Sequence, residues 1–171
     1  TLITTTRNSD LHSLATGGQR AIHVWDQIVG YLGRTATAAH AAIFAEPNQD
    51  PDRGTTDWYA QSVGVVQPFS SLSELEREAV TQALAALVMD IRAAARGLTE
   101  SAREDERFLG EMLELALVTP GAEYLYVVGK QPVMVAWGHT LADAAAVPQL
   151  LIGKIGPGPG RAQSRHSRQP L

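Results

Sequence analysis

YLYVVGKQPVMVAWG, residues Tyr124–Gly138, decides the fold of this chain. Two short runs of β-branched and aromatic residues flank the turn Gly129-Lys130-Gln131-Pro132, and the second run closes on Trp-Gly. Such runs fit a pleated, half-buried surface. The stretch therefore reads as a β-hairpin in a packed sheet and not as a catalytic loop.

An earlier stretch has a similar rhythm. His40–Ala45, HAAIFA, is short and apolar and suits a strand. Glu46–Gly54, EPNQDPDRG, is dense in turn formers and reads as a loop. Thr55–Ala60, TTDWYA, is again β-branched and aromatic. The two runs make an antiparallel pair joined by that loop, with a short extension at Val63–Val66 before Pro68.

Helical periodicity fills the rest. Ile22, Trp25, Ile28, Val29 and Leu32 lay one apolar stripe on a helix of about four turns, with Gly33 as its stop. Ser71 and Glu74 form an S-x-x-E capping box. It opens a helix over residues 72–97, in which Leu72, Leu75, Ala79, Val80, Leu84, Leu87, Val88 and Ile91 recur at helical spacing. At a rise of about 1.5 Å per residue this helix spans about 37 Å. That is long for such a domain and leaves one end to project or to pack against another chain. A third helix covers Glu106–Val118, before Pro120 and Gly121. His139–Val147 is Ala-rich and suits a short helical turn.

The expected fold class is α+β: a single domain with two β-hairpins on three main helices. The hairpins most simply share one antiparallel sheet. Two separate ribbons are the alternative, although an isolated two-stranded hairpin is marginal in water. Residues 1–17 read as a loosely held N-terminal arm with room for one short strand, and residues 18–152 as the domain. Residues 153–171, rich in Gly, Pro, Arg and Ser, read as a flexible tail or linker.

Composition narrows the function classes. The 171 residues suffice for one domain, and a net charge of −4 gives no basic footprint for nucleic acid. There is no cysteine, which excludes disulfides, thiol catalysis and Cys-based zinc sites. No apolar run approaches the roughly 20 residues of a membrane span. These features fit a cytoplasmic protein, or the cytoplasmic part of a membrane-associated one whose span lies outside this sequence.

Candidate chemistry is thin. Asn48-x-Asp50-x-Asp52 invites a calcium loop, but the sixth position is Arg53 where glycine is needed and the twelfth is Tyr59 where a bidentate Glu is needed. A solvated turn is the better reading. His40 and Asp57 could be drafted into a hydrolase with a serine, yet no nucleophile elbow accompanies them. The glycines at 153, 156, 158 and 160 suggest a phosphate cradle only superficially, because prolines interrupt them and no helix follows. No catalytic, metal or cofactor site is assigned. The remaining candidates are Trp58, Tyr59 and Trp137, with Lys130 and Gln131 of the hairpin turn. The tryptophans chiefly read as core, and the alternative is a shared partner surface.

The segments DWYA…VVQPFSSLSELEREA, FLGEMLELAL and TPGAEYLYVVGKQPVMVAWG resemble the N-terminal region of SrfA-type bacterial virulence factors over roughly residues 40–138. The most specific parts are Asp57-Trp58-Tyr59, Pro132-Val133 and Trp137-Gly138. One departure is His139, where the family has Phe after Trp-Gly. The resemblance implies an accessory or scaffold role in a bacterial virulence or envelope-associated assembly, alongside an actin/Hsp70-like protein and a large GTPase-like protein. It transfers no active site. The expected function is a non-enzymatic protein-binding module with protein partners, or a homo-oligomer through the long helix 72–97. The alternatives are a small hydrolase using His40 and Asp57, and a structural subunit of a larger membrane-associated complex.

Overall fold

The computed structural model describes residues 1–143 of the chain. The elements are β1 (Leu2–Arg7), β2 (Leu11–Ser13), β3 (Ala15–Thr16), β4 (Gln19–Arg20), α1 (Trp25–Thr35), α2 (Ala38–Ala42), β5 (Glu46–Asp50) and β6 (Thr55–Tyr59). They continue with β7 (Val66–Pro68), α3 (Glu74–Thr99), α4 (Glu104–Ala116), β8 (Leu125–Val128), β9 (Gln131–Met134) and β10 (His139–Leu141). The fold is α+β. Its strands form not one sheet but two three-stranded antiparallel sheets, β1-β6-β5 and β7-β8-β9, and two ribbons, β2/β10 and β3/β4. Each expected hairpin recruits a third strand of its own. An isolated parallel bridge, Phe44 to Met134, links the approach to β5 with the end of β9.

The N-terminus is not a loose arm. Its Thr-rich run alternates well enough to form β1, which pairs with β6 from Leu2 opposite Tyr59 to Arg7 opposite Thr55. The Trp58 indole N–H donates to Thr6 Oγ1 at 2.9 Å.

The sequence expectation for residues 40–54 is also overturned. Ala38–Ala42 is helical: alanine is the best helix former, and Thr37 caps the turn, its hydroxyl oxygen accepting from the His40 amide at 3.4 Å. The strand that pairs with β6 is Glu46–Asp50, inside the expected loop. It is an edge strand, so Pro47 removes no needed ladder hydrogen bond. Only residues 51–54 turn. There the Asp50 carboxylate accepts from the amides of Asp52 and Arg53, at 3.1 Å each.

Helix boundaries shift by small amounts. Ser73 and Glu76, not Ser71 and Glu74, form the capping box of α3, with Glu76 N to Ser73 Oγ at 3.2 Å and Ser73 N to Glu76 Oε2 at 2.8 Å. Ser71 instead donates to the Pro68 carbonyl at 2.7 Å. Gly33 lacks the left-handed conformation that a glycine stop needs, and α1 runs on to Thr35. The expected hairpin is β8–β9, but its turn is only Gly129-Lys130, because Gln131 and Pro132 already pair with Val128 and Val127. His139–Leu141 is strand, pairing with β2, and not a helical turn. The rest of that turn, the end of the 18–152 domain and the 153–171 tail with its glycines lie outside the described residues.

One core unites these parts. Ile28 and Leu32 of α1, Leu84, Val88 and Ile91 of α3, and Met112 and Leu113 of α4 are buried against Phe44, Trp58, Leu125, Met134 and Trp137. Helices α3 and α4 touch closely at Gly110, where a Cβ would lie 2.8 Å from the Ala95 carbonyl oxygen. The first turns of α3 are different. Every residue from Glu74 to Ala79 is exposed, and the first buried side chain of the helix is Leu84.

Candidate functional site

Trp58 and Trp137 cannot form a partner surface. Neither exposes any area to solvent, and their rings meet edge to face with centroids 6.3 Å apart. Phe44 packs edge-on against Trp137 at 5.4 Å. The Trp137 N–H donates to the Ala45 carbonyl at 2.8 Å. Both aromatics are architecture. Tyr59 sits on β6 and is half-buried. Gln131 spans back to α2, its side-chain amide donating to the Ala39 carbonyl at 3.1 Å. Of the five expected surface residues, only Lys130 is exposed.

Lys130 lies at the edge of a groove of about 260 Å³. One wall is a row of cross-strand neighbours, Gln67, Val127 and Pro132, in register across β7, β8 and β9. The other is the start of α3, with Ala79, Val80 and Ala83, together with the buried Leu72 just before the helix. The small alanines Ala79 and Ala83 leave the gap open. Leu75, Ala79 and Ala83 follow at spacings of four and so share a helix face. Leu75 stands at the head of that stripe, 78% exposed.

The loop before β7 adds to the same surface. Val63 and Val65 are 93% and 74% exposed. The Gly129 amide donates to the Val65 carbonyl at 3.0 Å, which sets this loop against the hairpin turn. A Cβ at Gly64 would fall 2.6 Å from Gly129 Cα, so the approach demands glycine there. The Glu76 carboxylate on the helix wall is engaged in the capping box, whereas Lys130 has no ion-pair partner among the described residues. The groove is therefore mostly apolar, with Gln67 and the capped Glu76 on its walls and a free cation at one edge.

His40 and Asp57 each hydrogen-bond to other residues. His40 is on α2, with one ring nitrogen 2.7 Å from Thr37 Oγ1 and the other 2.9 Å from Asp90 Oδ2 on α3. Asp57 is on β6 and accepts from the Thr5 hydroxyl at 2.5 Å. Both His40 nitrogens are committed to holding α2 in place, and none is left to serve as a base for Asp57 to orient. Among the described residues, no group of three or more His, Asp or Glu is arranged to hold a metal ion.

A polar cleft lies elsewhere, over the β2/β10 ribbon, with a volume of about 250 Å³. Its floor is His139, buried and directly opposite Ser13 in the ladder. A carbonyl oxygen only accepts, so His139 Nδ1 carries the proton donated to the Trp137 carbonyl at 2.9 Å. Nε2 of the neutral ring then accepts from the Ser13 hydroxyl at 2.9 Å. Burial pushes the His139 pKa below its ordinary value, against the carbonyls of Trp137 and Ala136, and the nearby Arg20 and His12 side chains add to the lowering. The ring also packs edge-on against Trp58 at 6.1 Å. Asn8, His12, Arg20 and Gln49 complete the polar walls. The sequence flags this site only through the unexpected His after Trp-Gly. The pairing of residues 126 positions apart has no local signature.

Comparison of the chain with family models, with curated proteins and with solved structures finds no match. Among the described residues no helix is long and apolar enough to cross a membrane.

Proposed function

We propose that this domain is a non-enzymatic protein-binding module that holds its partner in the groove between the start of α3 and the β7-β8-β9 sheet. The observation that carries this reading is the exposure of Leu75, one turn before Ala79 of the groove wall, and of Val63 and Val65, on the loop held against the hairpin turn at Gly129. Large apolar side chains clustered at one place on a surface mark interaction sites more than singly scattered ones do. The preferred occupant is a segment of another protein with an apolar side chain for the gap over Ala79 and Ala83 and a carboxylate for Lys130. The resemblance to SrfA-type virulence factors supports an accessory or scaffold role in a bacterial virulence or envelope-associated assembly. On that reading the domain works in the cytoplasm, or as the cytoplasmic part of a membrane-associated protein.

Site-specific photo-crosslinking tests the proposal. A crosslinking amino acid at Leu75 should join the chain to a different protein in native cells, and one at Arg34 on α1 should not. Equal labelling from both positions would contradict a localised site. A product of twice the chain's own mass from Leu75 would replace the foreign partner by a second copy docked through α3.

A further inference from the structure

We propose that the cleft over the β2/β10 ribbon is a binding site for a small oxyanion, a carboxylate or phosphate group carried by a small molecule. None of the residues that line the cleft is acidic. Asn8 spends its side-chain oxygen on the Thr56 hydroxyl, which donates to it at 2.7 Å, so its NH₂ is left as a donor. Gln49 does the same. Its Oε1 accepts from His23 Nε2 at 3.1 Å, which leaves that NH₂ as a donor too. Arg20 adds a guanidinium that has no ion-pair partner among the described residues.

Donors from three separate elements thus line one cleft, with no carboxylate among them. An ionised oxyanion is acceptor-only and matches this set, and hydrogen bonds from a guanidinium to such a group are charge-assisted. The floor is preorganised: the Ser13–His139–Trp137 chain fixes the ring, and Trp58 packs edge to face with it. The volume falls below the roughly 300–1,000 Å³ of drug-sized pockets, which suits a ligand of a few heavy atoms. This site is separate from the α3 groove and does not depend on it.

The test is a titration of the ¹⁵N-labelled full chain with sodium phosphate and, separately, sodium acetate, at ionic strength held constant with sodium chloride. Saturable shifts of the Arg20 Nε–H and of the Asn8 and Gln49 side-chain amides are expected with at least one of them. The stronger of the two arms identifies phosphate or carboxylate as the preferred group. Arg20→Gln should weaken binding about tenfold or more, since it removes a charge-assisted contact. Gln49→Glu should abolish it by placing a carboxylate in the cleft. Both residues are exposed, so the thermal melt should change little, and Lys130→Glu should leave the titration intact. The absence of saturable shifts with either anion would overturn the proposal, as would unchanged affinity in both cleft variants.

Discussion

Trp58 and Trp137 meet edge to face with ring centroids 6.3 Å apart and planes inclined by 69°, and neither ring reaches solvent. They come from different sheet regions, β6 and the turn after β9, and each indole N–H is fixed by a partner from a third segment. Thr6 of β1 holds Trp58 and the Ala45 carbonyl holds Trp137. The pair ties the N-terminal strand, the approach to β5 and the end of the hairpin into one core.

Truncating this pair should be severe. Trp137→Ala is expected to lower unfolding free energy by about 3–5 kcal/mol, the usual range for a buried aromatic cut to alanine. Trp137→Phe keeps much of the ring but leaves the Ala45 carbonyl without its donor, so it should cost less. Chemical denaturation of the three proteins gives the ordering. A Trp137→Ala protein as stable as the parent would refute the packing described.

The α3–α4 contact makes a second prediction. Gly110→Ala places a methyl group within 2.8 Å of the Ala95 carbonyl oxygen and of Thr99 on α3. Both are hard to move. Although alanine is the better helix former, overpacking should win and destabilise by about 1–3 kcal/mol. Gly97→Ala, on an exposed face of α3 with nothing near its Cβ, should instead be neutral or stabilising. The thermal melt of Gly110→Ala should fall, while that of Gly97→Ala should hold or rise.

His139 predicts a pH dependence. Its folded-state pKa lies below the ordinary 6.5, chiefly because burial disfavours the charged ring. The unfolded chain therefore takes up this proton first as pH falls. The contribution of His139 to stability is complete above about 6.5, declines below that as the unfolded state is protonated, and falls no further once pH is under the folded pKa. His139→Gln should flatten this part of the stability profile, measured by denaturation from pH 7.5 down to about pH 5. A wild-type profile that rises over that interval as pH falls would contradict the buried neutral ring.

The sequence made the fold class legible because its strongest signals are local. The β8–β9 hairpin and the α3 and α4 periodicities depend on neighbours in sequence, and the structure bears them out. What escaped was set at long range. Thr4, Thr5 and Thr6 look like part of a loose arm until β6 offers them a partner. Glu46–Asp50 reads as a loop because Pro47, Asn48 and Asp50 are turn formers, yet an edge strand tolerates all three. His40–Ala45 is an apolar run too short for periodicity to separate helix from strand, and Thr37 decides it. The candidate site was legible only at Lys130. The exposure of Val63, Val65 and Leu75 depends on where α3 leaves the core, and the Ser13–His139 pair needs the two ends of the described chain to meet.

The groove carries the central claim, and one comparison tests it most directly. Ala79→Glu fills the gap with a charge at an exposed position, so the melt should stay within about 0.5 kcal/mol of the parent's stability. Capture of the protein crosslinked from Leu75 should then be measured for parent and variant at equal concentration. Ala79→Glu should lose at least about tenfold in partner affinity while remaining folded. A folded Ala79→Glu protein that holds the partner as tightly as the parent would contradict the central claim.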